Sequence, residues 1–197
     1  MSHMFYGAEN FNQPIGRWDV SNATDMSHMF FAADAFNQPI GDWNVSNVSD
    51  MSSMFLGAAK FNQPLEKWDV GKARDVSCMF SFAVLFNQPI GKWNVGNVTD
   101  MSYMFHFARE FKQPIGEWNV AKVTTMRGMF KDAMIFDKNI GDWNVESLID
   151  VREMFSEALN FCNDLSKWKK YETRFDLKKA FFRWHDASDE EDEEAVD

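Results

Sequence analysis

The sequence is poor in cysteine, in basic clusters and in long apolar runs, and each absence excludes a class of protein. Only two cysteines occur, Cys78 and Cys162, without CxxC spacing, so neither a disulfide framework nor a zinc site is expected. A net charge of −10 without a basic stretch argues against a nucleic-acid-binding surface. No apolar run approaches the roughly 18 residues that a membrane span needs, so no transmembrane segment is expected.

Catalytic signatures are also missing. The four histidines are scattered along the chain, and no G-x-S-x-G, H-E-x-x-H, P-loop or paired-acid motif is present. We therefore expect a protein that is not an enzyme, has no cofactor, and contains no catalytic or metal-binding residues.

What the sequence has in abundance is a 25-residue repeat. Seven copies fill residues 1–175 without insertion or deletion, and they start at Met1, Met26, Met51, Val76, Met101, Met126 and Val151. A fixed period of roughly 20–50 residues is typical of solenoids, in which each unit packs only on its neighbours. The chain therefore repeats a packing unit instead of building one catalytic pocket, which favours an interaction surface.

One repeat has the pattern of a helix followed by a short strand. Its consensus is M-S-x-M-F-x-x-A-x-x-F-N-Q-P-I-G-x-W-N-V-S-N-V-T-D, with apolar residues at repeat positions 1, 4, 5, 8 and 11. This spacing is typical of an amphipathic helix, which the proline at position 14 would end. The pattern I-x-x-W-x-V then places Trp and Val on one strand face. We expect a right-handed α/β solenoid with one short parallel strand and one helix per repeat.

The repeat strongly resembles that of BspA-type leucine-rich-repeat surface proteins. The segment that carries the resemblance reads F-N-Q-P-I-G-x-W-N-V-S-N-V-T-D-M-S-x-M-F. Similar repeats occur in mycoplasma surface lipoproteins, and I-x-x-W-x-V resembles the L-x-x-L-x-L strand of leucine-rich repeats. The resemblance covers residues 1–170. It implies a leucine-rich-repeat-like fold, binding to a partner, and a cell-surface or secreted location, and it supplies no catalytic residues. The sequence itself contains no signal-peptide or anchor pattern.

The array changes character at its C-terminal end. Residues 176–185 are expected to form a capping helix, because Leu177, Phe181 and Trp184 would share one face. Residues 186–197 hold eight of the 30 acidic residues and no basic one, which is typical of a disordered tail. The first repeat shows no such cap, so its open end is a candidate for self-association.

Three rows of repeated side chains have structural interpretations. The tryptophans at position 18 are expected in the core instead of on a carbohydrate-binding surface. The Asn-Gln pairs at positions 12 and 13 are expected to satisfy backbone groups in the turn that follows the helix. The Asp and Asn residues at position 19 occur without a D-x-D-x-D-G loop, which argues against a calcium site.

Two repeat positions vary from copy to copy and are therefore free to carry specificity. Position 17 is expected on the concave strand face and reads Arg17, Asp42, Lys67, Lys92, Glu117, Asp142 and Lys167. This charged row either recognises a partner or only keeps the surface soluble. Position 6 is expected on the back of the helix and begins with Tyr6, Phe31 and Leu56, an apolar patch of the kind that marks interfaces.

Together these features predict a non-catalytic protein-binding module. Its partner is expected to be a protein or another cell-surface macromolecule, bound through the concave face in adhesion or recognition. The alternative is a structural or self-associating scaffold, inside the cell or outside it, that joins copies through the first repeat or through the apolar patch at position 6.

Overall fold

The computed structural model describes residues 1–168, which form a stack of 25-residue coils built almost entirely from tight turns. Within these residues there is no α-helix, hence none that could cross a membrane, and no extended strand. The parallel pairing found there consists of single-residue bridges at position 25 of adjacent coils: Asp25–Asp50, Asp50–Asp75, Asp75–Asp100, Asp100–Thr125 and Thr125–Asp150. The prediction of a right-handed α/β solenoid of leucine-rich-repeat type, with one helix and one strand per repeat, is therefore wrong.

Repeat positions 1–8 form a train of turns where a helix was expected. In the second coil the N–H of Met29 donates to the carbonyl of Met26 at 3.2 Å, and the N–H of Phe31 donates to that of His28 at 3.1 Å. The backbone is left-handed at positions 3 and 7, with φ of 56° at His28 and 53° at Ala32. A left-handed residue at every fourth position interrupts the run of right-handed residues that an α-helix requires.

The apolar spacing of this train of turns is the same as that of an amphipathic helix. In both conformations the side chains at positions 1, 4, 5, 8 and 11 share one side of the chain. In the second coil the residues at these positions are all 0% exposed: Met26, Met29, Phe30, Ala33 and Phe36. The pattern therefore identifies the buried side correctly but does not distinguish the two backbones.

Hydrogen bonds between coils explain why the turns are preferred. N–H groups at positions 1, 3, 5 and 7 donate to the following coil, as from His28 to the Ser52 carbonyl and from Phe30 to the Met54 carbonyl, both at 2.9 Å. An α-helix that began at position 1 would use the N–H groups of positions 5 and 7 within its own coil and would leave those of positions 1 and 3 without a backbone partner. The turn train instead gives them partners in the next repeat, so the hydrogen bonds that define the backbone also hold the stack together.

The I-x-x-W-x-V half of the repeat contains two further turns in place of the expected strand. The N–H of Trp43 donates to the carbonyl of Ile40 at 3.1 Å, and the N–H of Val48 donates to that of Val45 at 2.9 Å. These bonds bend the chain within three residues. All four side chains are nevertheless buried, because the bends keep them on the inner side of the coil.

Stacked aromatic rings form much of the core. The ring centroid of Phe30 lies 3.9 Å from that of Phe36 in its own coil and 5.6 Å from that of Phe55 in the next coil. The six tryptophans from Trp43 to Trp168 are 2–4% exposed, which confirms their predicted place in the core, whereas Trp18 of the first coil is 41% exposed. Each aromatic side chain buries about 150–250 Å², so these stacks contribute strongly to stability.

Some predictions concern residues outside the described part of the chain. These are the end of the seventh repeat at 169–175, the capping helix at 176–185 and the acidic tail at 186–197.

Candidate functional site

The charged row at position 17 lies along two surface grooves. Its six members within the grooves are all exposed: Arg17, Asp42, Lys67, Lys92, Glu117 and Asp142. The first three line a groove across the first three coils, and the last three line a groove across the fourth to sixth coils. The structure thus brings these residues together in two groups of three, on a surface made of turns instead of the expected strands.

Glycine at position 16 lines both grooves, as Gly16 and Gly41 in the first and as Gly91 and Gly116 in the second. A Cβ atom on Gly16 would lie 2.3 Å from the carbonyl oxygen of Pro39, and one on Gly91 would lie 2.3 Å from that of Pro114. The lack of a side chain therefore lets neighbouring backbones approach closely beside the charged side chains at position 17. In the third coil Glu66 occupies position 16 and adds a carboxylate to the first groove.

Neighbouring coils neutralise only part of this charge. Lys67 Nζ donates to Asp42 Oδ1 at 2.7 Å, and this hydrogen bond raises the pKa of Lys67. Lys167 Nζ makes the equivalent bond to Asp142 Oδ1 at 2.5 Å, which raises the pKa of Lys167. The row members that make no ion pair within residues 1–168 are Arg17, Lys92 and Glu117. These three charges are available to a partner.

Two rows of polar side chains are used by the fold itself. Asn37 Oδ1 accepts hydrogen bonds from the N–H of Asn62 and from Gln63 Nε2, both at 3.0 Å, which confirms that the Asn-Gln pairs satisfy backbone groups. At position 19, Asn44 Oδ1 accepts the N–H of Ser46 at 3.2 Å and closes a local turn. Within residues 1–168 no group of three or more His, Cys, Asp or Glu side chains is placed to hold a metal ion.

The apolar patch at position 6 is a stack of rings on the turn train, not on the back of a helix. Tyr6 stacks on Phe31 with ring centroids 4.5 Å apart and planes 5° apart. His3 and His28 stack beside them at 4.6 Å. Tyr6 is 53% exposed, while Phe31 and Leu56 are half-buried, so Tyr6 provides most of the accessible apolar area of this row.

The stack also places His106 in a polar cluster, although the histidines are scattered in the sequence. Its Nδ1 lies 3.2 Å from Ser81 Oγ and its Nε2 lies 3.7 Å from an Asp132 carboxylate oxygen. Burial lowers the pKa of His106, and the charge of Asp132 opposes this effect. Ser81 is only 2% exposed, so its hydroxyl cannot meet a substrate and the cluster is a packing feature. The 25-residue spacing of Ser81 and His106 is the sequence signal that predicts their contact.

The fold and the grooves define a class of protein, namely a repeat protein of stacked turns that exposes a varied charged row. Within that class, the chain belongs to the family described as "Mycoplasma protein of unknown function, DUF285", which it matches over residues 1–90 and again over residues 79–190. This membership agrees with the predicted likeness to mycoplasma repeat proteins.

No curated protein matches the chain. Among solved structures, an internalin (inlF) from Listeria monocytogenes is 12% identical, with 78% of this chain and 56% of that chain covered at a TM-score of 0.28. The chain thus spans little more than half the length of that internalin, and so low a TM-score carries no argument about fold or function.

Proposed function

We propose that the chain is a non-catalytic recognition module that binds a protein or another macromolecule through the charged row at position 17. The observation that carries this proposal is that the row lines two grooves while it contributes nothing to the core. Every coil has the same turns whether position 17 is basic or acidic, as at Lys92 and Glu117. The charge at position 17 can therefore vary to complement a partner without any change in the fold.

The charges that make no ion pair indicate which charge pattern a partner would carry. Lys92 and Glu117 lie in the same groove on successive coils, so the groove presents a positive and a negative charge along the stack. A complementary partner would place an acidic group near Lys92 and a basic group near Glu117. An extended polypeptide segment that runs along the stack meets this requirement.

Charge reversal tests the proposed role of the row. The immobilised chain would be used to capture partners from extracts of source-cell surfaces and culture medium, and the dissociation constant of each captured partner would be measured. We expect Lys92→Glu, alone or with Lys67→Glu, to weaken binding by about tenfold or more, because like charges then face each other. Lys60→Glu is the matched control, since Lys60 is an exposed lysine outside both grooves. Unchanged affinity in a folded double variant would overturn the proposal.

We also propose a cell-surface location, which the BspA-type resemblance of the repeat supports. Brief proteolysis of intact source cells, followed by mass spectrometry of the released peptides, tests it. Release of repeat peptides before lysis is expected. Complete protection of the chain until the cells are broken would contradict a surface location and favour an intracellular scaffold.

A self-associating scaffold is the second candidate function, and the exposed ring of Tyr6 favours it. Association through Tyr6, Phe31 and Leu56 would remove apolar area from water at one end of the molecule. Phe31→Glu would place a carboxylate in this patch and is expected to reduce a concentration-dependent increase in molecular mass. An unchanged mass profile in this variant would exclude the patch.

A further inference from the structure

Positions 9 and 10 of the repeat form two adjacent rows along one edge of the stack. The N–H of Leu85 donates to the carbonyl of Ala59, and that of Glu110 donates to that of Val84, both at 3.2 Å. The same bond joins Asn160 to the carbonyl of Met134 at 3.2 Å. Because position 10 of one coil is bonded to position 9 of the coil before it, side chains at these positions line up from coil to coil.

Large apolar residues appear on this edge only from the fourth coil onward. In the second and third coils it carries Asp34 and Lys60, which form an ion pair at 3.9 Å. In the fourth to sixth coils we define an edge band by the residues at positions 9 and 10: Val84, Leu85, Arg109, Glu110, Met134 and Ile135. The turn forms equally well with Asp34 or Lys60, so packing within the chain does not require apolar residues there.

The edge band is accessible to a partner. Leu85 is 47% exposed, and the neighbouring Phe82 at position 7 is 41% exposed. Val84, Met134 and Ile135 are half-buried. Clustered apolar residues of this kind on a protein surface mark an interaction site more often than scattered ones do.

The edge band has a charge pattern that is complementary to itself. Its apolar pairs in the fourth and sixth coils flank one basic and one acidic residue in the fifth coil, Arg109 and Glu110, and both are exposed. The guanidinium of Arg109 lies 4.1 Å from the centroid of the Phe107 ring. This contact holds the charge at the edge and reduces the entropy lost when it is paired.

We propose that the edge band binds the edge band of a second copy of this chain, across a two-fold axis that runs parallel to the stack. Such an axis places each coil beside its own counterpart and exchanges positions 9 and 10. Val84 then faces Leu85 of the second copy, Met134 faces Ile135 of the second copy, and Arg109 faces Glu110 of the second copy. Each contact occurs twice, as an isologous interface requires.

The charges select this axis over the other simple arrangement. A two-fold axis perpendicular to the stack would keep position 9 opposite position 9. If it passed through the fifth coil, it would bring Arg109 against Arg109 of the second copy and Glu110 against Glu110 of the second copy. Like charges in contact oppose association, so the parallel arrangement is favoured. This interface uses neither the grooves nor the position-6 patch and is independent of the proposed partner binding.

The test is the molecular mass of the full chain as a function of concentration, measured by sedimentation equilibrium. We expect a dimer whose dissociation constant rises about tenfold or more in Arg109→Glu and in Glu110→Arg, because each variant sets like charges opposite each other. The double variant R109E/E110R restores the opposite charges and is expected to recover most of the affinity. Leu85→Asp is expected to weaken the dimer as well, and Lys122→Glu, on another part of the surface, is the control.

Three outcomes would overturn the proposal. A monomer at every concentration would exclude the interface. An additive loss of affinity in R109E/E110R would exclude the pairing of Arg109 with Glu110 of the second copy. Association that is lost in F31E but kept in R109E and L85D would place the interface at position 6 instead. All altered residues of the edge band are exposed, and matching urea unfolding midpoints would show that each variant is folded.

Discussion

The indole Nε1 of Trp93 donates a hydrogen bond of 3.0 Å to the backbone carbonyl of Leu65 in the preceding coil. The same bond joins Trp68 to Ile40 at 3.1 Å and Trp118 to Ile90 at 3.1 Å. The repeated tryptophan is therefore both a core side chain and a link between coils. An apolar residue of similar size would fill the space but would remove this bond between coils and leave the Leu65 carbonyl with the N–H of Trp68 as its one donor within the described residues.

Trp93→Phe should lower the free energy of unfolding by about 0.5–1.5 kcal/mol, because the Leu65 carbonyl loses one of its two donors and keeps only the N–H of Trp68. Trp18→Phe is the matched control, since Trp18 is 41% exposed and makes no such bond within the described residues. Urea unfolding followed by circular dichroism measures both variants. Equal losses in the two variants would show that ring size, and not the indole N–H, determines the effect.

Gly41→Ala should destabilise the chain by about 1–3 kcal/mol. The new Cβ atom would lie 2.5 Å from the carbonyl oxygen of Pro64, which is backbone and cannot rotate away. Gly96→Ala is the control, because its nearest neighbour is the Asn94 side chain at 3.2 Å and not backbone. In the third coil Glu66 occupies the position equivalent to Gly41, so the expected loss applies to the backbone spacing between Gly41 and Pro64. Thermal unfolding midpoints should fall in the first variant and change little in the second. A tolerated G41A would show that the close approach of the Gly41 and Pro64 backbones does not depend on glycine.

Asn62→Ala should remove two hydrogen bonds from the next coil. Asn62 Oδ1 accepts the N–H of Asn87 at 3.0 Å and Gln88 Nε2 at 2.9 Å, and the unpaired N–H would cost about 1–3 kcal/mol. Asn62→Asp keeps an acceptor oxygen, and Asp137 already fills this role toward Asn163 at 2.6 Å. The aspartate variant should therefore retain more stability in urea than the alanine variant. The reverse order would contradict a ladder held by the acceptor oxygen.

His106 should make the chain less stable in mild acid. Burial lowers its pKa in the folded chain, so the unfolded chain binds the proton first as the pH falls below about 6.5. The stability associated with neutral His106 is present above that pH and is lost as the pH falls through the lowered folded value. Lys131 adds to the downward shift, whereas Asp132 and Glu153 oppose it.

The measurement is the urea midpoint at pH 7.5 and pH 5.5 for the native chain and for His106→Gln. The native chain should lose more stability between these two conditions than the variant does. Carboxylates with lowered pKa values, such as Asp150 and Glu153, titrate at lower pH and leave this window undisturbed. The same slope in both proteins would show that His106 is not the group responsible.

The core was largely predictable from the sequence, and the backbone was not. Positions such as Phe30, Phe36 and Trp43 were expected to be buried, and all three are. The helix expected from Met26 to Phe36 is absent. It was predicted because a helix and a series of consecutive turns produce the same apolar spacing. The left-handed residues His28 and Ala32, which exclude the helix, are not glycines. The sequence signal for them lies in other repeats, where the same two positions hold Gly7, Gly57 and Gly128, and it was missed.

The candidate site was predictable in part for the same reason. Variation at position 17 pointed to Arg17, Asp42 and Lys67, and the structure places these three in one groove. The contact of Ser81 with His106 and the apolar edge at Leu85 were missed. The first could have been inferred from the 25-residue spacing of the two residues. The second depends on which different repeat positions lie side by side at the surface, and that depends on the backbone.

The sequence by itself determined the 25-residue period, the inward-facing rows and the charge at each variable position, because these depend only on which residue types recur. Only the tertiary structure decided how the chain runs between those rows. The N–H of His28 bonds to Ser52 of the next coil and not within its own repeat. A single repeat gives no information about that choice, because the partner that stabilises its turns is another copy of itself.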